Sequence, residues 1–283
     1  MNEDTINFLL RFWDDLAIST KKWYLHIMNR YLSYYKNTVV KLNDNVHQIG
    51  GDVRLIEGQP MGVYYGYVVD GIFQNKQQVA DHAIQQGAAP GRLIYRDLNG
   101  DGKITDADQC IIGDPNPDLT LGLNFDFKYK GLTLSMFFNS ELGFDIINHN
   151  KNLTDFAWNG KNDANNRGVA ILNAWTESNP TATIPAVALT DVNNESRMST
   201  YFVEDGSYLK MKYIKLSYDL PKKVLTPWHC EGINFFAQLE NVFTITRYTG
   251  LDPELPLSTY GSRIDSGAYP RARTFSLGVN MAF

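Results

Sequence analysis

The residues with the most specific chemistry lie about a third of the way along the 283-residue chain, in the run Asp97-Leu98-Asn99-Gly100-Asp101-Gly102-Lys103-Ile104-Thr105-Asp106-Ala107-Asp108. Carboxylate or amide oxygens stand at positions 1, 3 and 5 of a twelve-residue loop, with glycine at position 6 and a carboxylate at position 12. This is the spacing of a calcium loop of the EF-hand or dockerin type. Asp97, Asn99 and Asp101 are expected to converge on one ion, Gly102 permits the sharp turn, the Lys103 backbone carbonyl adds an oxygen and Asp108 closes the shell. Ile104 is expected to point inward and pack. Asp in place of Glu at position 12, and no clear helix after the loop, argue against a sensor pair. The expected cofactor is therefore one structural Ca²⁺ that braces a long loop. The alternative is a polar turn rich in Asp and Gly that holds no ion.

Other chemistries find little support. His26, His47, His82, His149 and His229 form no H-x-x-x-H or His/Cys grouping, so no zinc site is expected. Cys110 and Cys230 read as two incidental thiols. Glycoside hydrolysis needs two carboxylates on facing strands, and nothing identifies such a pair. Asp252 and Glu254 are close in sequence but read as an ordinary solvated loop, so no enzyme is expected. Trp158 and Trp175 are the candidates for stacking on a substrate, against the plainer role of anchoring their own loop by burial. A net charge of -5 argues against nucleic acid as a partner.

The elements around these residues are strands. Phe275, Leu277, Val279, Met281 and Phe283 alternate with Ser276, Gly278, Asn280 and Ala282 to the end of the sequence. Chain ends fray and gain little from burial, so an apolar side chain on the last residue suits a strand whose apolar face meets lipid. Leu119 to Tyr129 alternates in the same way, and after Lys130-Gly131 the pattern resumes through Leu132, Leu134, Met136 and Phe138, which predicts a hairpin with a tight turn. Phe235, Ala237, Leu239, Phe243 and Ile245 make a further face, interrupted at Asn241. Between Tyr208 and Leu220 the apolar phase shifts, which predicts a β-bulge near Tyr213. The chain is 43% hydrophobic and 13% aromatic, yet its mean hydropathy is only -0.30, because each apolar face is matched by a polar one. No run approaches the roughly 18 apolar residues of a membrane helix.

Residues 5 to 18 have helix-like apolar spacing, and Trp23 to Tyr35 is strand-like and aromatic. The acidic opening of the sequence is a poor secretory signal, which is expected if the chain is a piece of a longer precursor or starts at an internal Met. Asn75 to Gln78 resembles a capping box and predicts a short helix over about 76 to 86, with Gly87 as its C-cap. A connection of more than sixty residues follows the strand at Leu132 to Phe138 and is expected to be functional. Counting back from Phe283 as the periplasmic end places Lys130-Gly131 and the Pro221 to Glu231 stretch below. The loops at 143 to 206, at 247 to 271 and around the calcium motif are then expected outside the cell.

A set of short motifs, in one order, resembles the C-terminal part of the SusC/RagA family of TonB-dependent outer-membrane transporters. They are Gly62-Val-Tyr-Tyr-Gly66-Tyr67-Val-Val-Asp-Gly71-Ile72-Phe73, Pro90-Gly91, Tyr95-Arg-Asp97-Leu-Asn99-Gly-Asp101-Gly102 and Ile112-Gly113-Asp-Pro115-Asn-Pro117, followed by Asp205 to Ile214, Leu220-Pro221, Glu240-Asn241-Val-Phe243, Tyr248 to Glu254, Tyr269-Pro270-Arg271 and the terminal Phe283. The resemblance covers residues 22–283 and leaves 1–21 unmatched. It implies an all-β fold, the antiparallel C-terminal strands of a 22-stranded transmembrane barrel with long extracellular loops. It also implies import of glycans or peptides with a SusD-like lipoprotein, powered through a plug and TonB box outside this sequence. About seven or eight strands belong to this chain, and such an open sheet is not expected to insert into lipid alone. Two other readings are a small closed barrel of about eight strands with a structural or adhesive role, and a secreted, calcium-braced carbohydrate-binding module.

Overall fold

The computed structural model describes residues 16–19, 24–27, 31–42, 51–156, 166–226, 230–258 and 261–283, with backbone pairing alone for 16–19 and 24–27. Eight strands form one antiparallel sheet: β1 (Leu16–Ser19), β2 (Tyr24–Ile27), β3 (Tyr31–Ser33), β4 (Leu119–Tyr129), β5 (Leu132–Leu142), β6 (Tyr208–Asp219), β7 (Gly232–Thr246) and β8 (Thr274–Ala282). Their order is β1-β2-β4-β5-β6-β7-β8, and β3 pairs with β4 beyond β2, so β2 and β3 share one place in the sheet. Among the described residues β1 and β8 have one neighbour each, and the sheet is open. The helix-like spacing at 5 to 18 lies outside the described residues as far as 15, and from Leu16 the chain is strand. Pairing with β2 supplies partners for the backbone along one edge of the strand, whereas a lone short amphipathic helix is marginal.

The hairpin turn is built as its sequence demands. Lys130 and Gly131 both have positive φ, 46° and 85°, the two left-handed residues of a type I′ turn, and register runs unbroken from Tyr129–Leu132 to Leu119–Leu142. Register then carries the apolar residues into rows. Phe125, Met136, Ile214, Leu239 and Phe275 lie side by side across β4 to β8, and Tyr129, Leu132, Tyr218, Phe235 and Val279 form a partly aromatic row at the turn end. The opposite face carries Asp126, Ser135, Lys215, Gln238 and Ser276 in one row. The apolar face is left uncovered: Phe275, Leu277 and Phe283 are 65%, 73% and 82% exposed. A water-soluble sheet would bury such a face throughout, whereas here burial is confined to a few positions such as Met211 and Ile233.

The bulge falls beside Tyr213, as the phase shift predicts. Phe137 pairs with Tyr213 and Phe138 with Met211, so Lys212 is the extra residue, and Tyr213 belongs to the polar face, where its hydroxyl donates to Asn124 Oδ1 at 3.2 Å. Lys212 and Tyr213 therefore point to the same side. On β7 the matching irregularity contains Asn241, at φ 51°, whose amide donates to the Ala272 carbonyl at 2.8 Å; Asn tolerates this left-handed conformation better than most residues.

The buried core lies in the connections. All three long ones, residues 34–118, 143–207 and 247–273, leave the end of the sheet opposite the Lys130-Gly131 turn. They contain strands Val53–Arg54, Val63–Tyr67 and Gln109–Gly113 in one small sheet, Val69–Ile72 paired with Leu93–Tyr95, and Asp145–Asn148 between Val203–Asp205 and Ile264–Asp265. Three clusters hold them together. Tyr64, Ile147, Phe156 and Phe202 form one, Tyr67, Ile72, Leu93, Tyr95 and Trp175 a second, and Phe144, Ile146, Tyr208, Tyr248 and Leu255 a third. The connection of more than sixty residues is thus ordered and packed rather than structureless. The helix expected over 76 to 86 covers only Lys76–Asp81. Its N-terminus is capped as predicted, with Gln78 N–H donating to Asn75 Oδ1 at 2.9 Å. It stops early because Ile84 is drawn into a parallel bridge with Lys103, where Ile84 N–H donates to the Gly102 carbonyl and Ile104 N–H to that of Ile84.

Candidate functional site

The acidic loop is folded by its own side chains. Asp97 accepts from Gly100 N–H at 2.7 Å and from Gly102 N–H at 2.8 Å, Asn99 Oδ1 accepts from Asp101 N–H, and Asp101 Oδ1 accepts from Lys103 N–H. Gly102 has φ 78°, which a residue with a Cβ adopts only under strain. Ile104 packs against the cluster of Tyr67, Leu93, Tyr95 and Trp175, as its place in the loop predicts. Asp108 is fully buried and turned inward, accepting from Leu98, Asn99 and Thr105 N–H at 2.9, 3.3 and 2.7 Å. Burial pushes its carboxyl up, but the backbone N–H groups of Thr105, Asn99 and Leu98 outweigh this and hold it below the usual carboxylate range. Asp108 thus clips the two ends of the loop together. Among the described residues no three His, Cys, Asp or Glu side chains are gathered to hold a metal ion. Asp97, Asp101 and Asp108 are thus not gathered in that way, although their oxygens have the chemistry of a Ca²⁺ shell.

Beside this loop lies a buried polar network with no local sequence signal. Strand Leu93–Tyr95 pairs with Val69–Ile72 along one edge, and side chains line the other. Leu93 N–H donates to Glu195 Oε1 at 2.9 Å, Tyr95 N–H donates to Gln85 Oε1 at 2.9 Å, and the Leu93 carbonyl accepts from Gln85 and Asn193 amides. Arg92 closes the network with a 2.9 Å ion pair to Glu195, which is wholly buried, and a bond to the Ala186 carbonyl. Burial raises the Glu195 carboxyl above its ordinary range, with Arg92 opposing the rise.

A second charged group sits where the bulge meets the polar face of the sheet. Lys210, 2% exposed, reaches Asp252 at 2.8 Å and Glu254 at 2.9 Å, and Lys212 also bonds Glu254. Asp252 and Glu254 therefore do not form an ordinary solvated loop; they pin the 247–273 connection to the wall. Burial pushes the Glu254 carboxyl up, and Lys212 and Lys210 more than offset this, holding it below its usual range. Arg263, also buried, pairs with Glu141 at 2.9 Å and donates from Nε to the Pro115 carbonyl. A cleft of ≈ 420 Å³ lies between these groups, with Leu255, Tyr269 and Arg271 on its loop side. The phase shift near Tyr213 marked the bulge that holds Lys212, but no sequence signal joined it to Asp252 and Glu254.

Trp158 lies outside the described residues. Trp175 is 7% exposed, and its indole N–H donates to Gln74 Oε1 at 2.8 Å. In this arrangement it anchors residues 169–186 to the second cluster and offers no open face for stacking. Trp175 meets the acidic loop through the second cluster, where Ile104 also packs.

An antiparallel sheet that is, position by position, apolar on one side and polar on the other, with its core in connections gathered at one end, is a segment of transmembrane β-barrel wall carrying its outer loops. No family profile matches the chain. It is 32% identical over 266 residues to TonB-dependent receptor P3 of Formosa agariphila, 88% of this chain and 26% of that protein. It is 32% identical over 219 residues to TonB-dependent receptor SusC of Bacteroides thetaiotaomicron, 77% of this chain and 20% of that one. The RagAB peptide transporter has the same fold over 95% of this chain and 28% of its own, with TM-score 0.75 at 22% identity. The chain is thus a SusC/RagA-like C-terminal portion of the TonB-dependent receptor barrel, and it spans about a quarter of the length of these relatives.

Proposed function

We propose that this chain forms the C-terminal wall and outer loops of an integral outer-membrane importer of the SusC type. It takes up oligosaccharides or peptides together with a SusD-like surface lipoprotein and draws on TonB through the plug of the whole receptor. The observation that carries this reading is the uncovered apolar face of β4 to β8 below a packed set of loops. One side of the wall suits lipid, the other a polar lumen, and the loops present a shaped rim. The names of the relatives, receptors and a peptide transporter, support transport over catalysis. The test is to recover the tagged protein from outer membranes in mild detergent and to follow uptake of fluorescent oligosaccharides and peptides by the cells. Co-purification of a lipid-anchored protein and uptake abolished by a proton-motive-force uncoupler are expected. Recovery in the soluble fraction, or unchanged uptake in cells lacking the protein, would sink the proposal.

The acidic loop we propose as a Ca²⁺ site, with Asp97, Asn99, Asp101, the Lys103 carbonyl and Asp108 as its ligands. The donor types, their spacing and the left-handed Gly102 support it. Binding requires Asp101 and Asp108 to turn toward Asp97; a carboxylate has acceptor sites enough to keep backbone bonds while it does so.

A further inference from the structure

Resting on the importer reading, we propose that the cleft between the wall at Glu141 and Lys210 and the connection bearing Tyr269 and Arg271 is a subsite for a carboxylate-bearing ligand, gripped by Arg271. The charges around the cleft are nearly all spent on one another. Glu141 is taken by Arg263, Asp252 by Lys210, and Glu254 by Lys210 and Lys212. The Arg263 guanidinium is also fixed by the Pro115 carbonyl and lies 4.4 Å over the Phe144 ring. Arg271 differs. Its Nε stands 3.4 Å from Glu254, a longer contact than any of those pairs, and its side chain is 62% exposed where it lines the cleft. With Lys210 and Lys212 counted behind the lining, four cationic side chains stand against three carboxylates, and the one least engaged is the exposed Arg271.

The shape of the mouth agrees with that charge. Tyr269 is 92% exposed and is separated from Arg271 only by Pro270, whose fixed φ limits how far the two can swing apart. A guanidinium presents two parallel N–H groups that match the two oxygens of a carboxylate, and a tyrosine ring beside it offers an apolar face to a sugar ring or peptide side chain. Leu255 lines the inner part of the cleft. The floor is rigid, because Lys210 and Arg263 are buried and doubly bonded, so the subsite is formed before the ligand arrives. A carboxylate of this kind is found on uronate oligosaccharides and at the C-terminus of peptides.

Calorimetry on the detergent-solubilised protein from outer membranes separates these sources. The probes are trigalacturonate, its methyl ester, pentaalanine and pentaalanine amide. One of the acids is expected to bind at least about tenfold tighter than its neutral derivative, a difference of about 1.4 kcal/mol. Arg271→Gln should bring the two within about twofold by weakening the acid alone, whereas Tyr269→Ala should weaken both forms. Equal binding of acid and neutral forms, an acid preference that survives Arg271→Gln, or no binding of any probe overturns the subsite. Binding as expected without accumulation of the acid by cells would leave the subsite standing and overturn the importer reading. Uptake of neutral probe with no acid preference would do the reverse.

Discussion

Leu277 tests the membrane wall most directly. It is 73% exposed on the apolar face of β8, in a row with Phe127, Leu134, Leu216 and Ala237. In a water-facing sheet, replacing so exposed a leucine by arginine changes stability by no more than about 0.5 kcal/mol. In lipid the cost depends on depth. Leu277 lies six residues before Phe283, and at about 3.4 Å per residue and a tilt near 40° this raises it about 15 Å above the chain end, close to the middle of an apolar band about 25 Å tall. Leu277→Arg should then cost about 2–4 kcal/mol. Ser276→Arg, one residue away on the polar face, should cost less than about 1 kcal/mol. Urea unfolding of the whole receptor that contains this wall, in phospholipid vesicles, followed by tryptophan fluorescence and heat-modifiable gel migration, measures both. Equal shifts for the two variants, or no shift for Leu277→Arg, would refute the assignment of the two faces.

Three other outcomes follow from the loop assembly. Arg92→Met leaves Glu195 buried without its counter-charge but still bonded to Leu93 and Asn193. Opening of the Leu93–Tyr95 edge should therefore become easier by about 3 kcal/mol, read as amide exchange faster by roughly two orders of magnitude. Because loss of Arg92 pushes the Glu195 carboxyl further up, protonation relieves the defect, which should be smaller at pH 5 than at pH 8. The Lys210, Lys212 and Glu254 clip has the opposite sense. A carboxyl held below its ordinary value stabilises above that value and loses this as pH falls through its folded pKa, so proteolysis within 247–271 should increase below about pH 4. Calcium titration calorimetry should show heat for the native protein and none for Asp97→Ala plus Asp101→Ala; equal heats would dispose of the ion site.

The wall was legible in the sequence because its rule is local. Alternation at Leu119–Tyr129, the Lys130-Gly131 turn and the phase shift before Ile214 each involve neighbours along the chain, and each appears in the register of the sheet. The loop cores were not legible, because their partners lie far apart. Arg92 and Glu195 are 103 residues apart, and nothing near either one announces the other. The same holds for Asp252 and Glu254, whose solvated look vanishes once Lys210 and Lys212 arrive from β6. Asp108 shows the intermediate case. Its spacing marked it as an important carboxylate, while its backbone partners decide what it holds.

The Tyr64 hydroxyl accepts from Arg263 N–H at 3.0 Å and donates back to that residue's carbonyl at 2.9 Å, joining positions 199 residues apart in sequence. Together with the Arg92–Glu195 pair, it makes the three long connections a single mechanical body, and the Arg263–Glu141 pair ties that body to β5. Exchanging one of them for the matching stretch of a relative would strand the polar partners contributed by the other two. A change of ligand by loop transfer would therefore succeed only if all three were moved as one cassette, together with the wall residues Glu141, Lys210 and Lys212 that grip it.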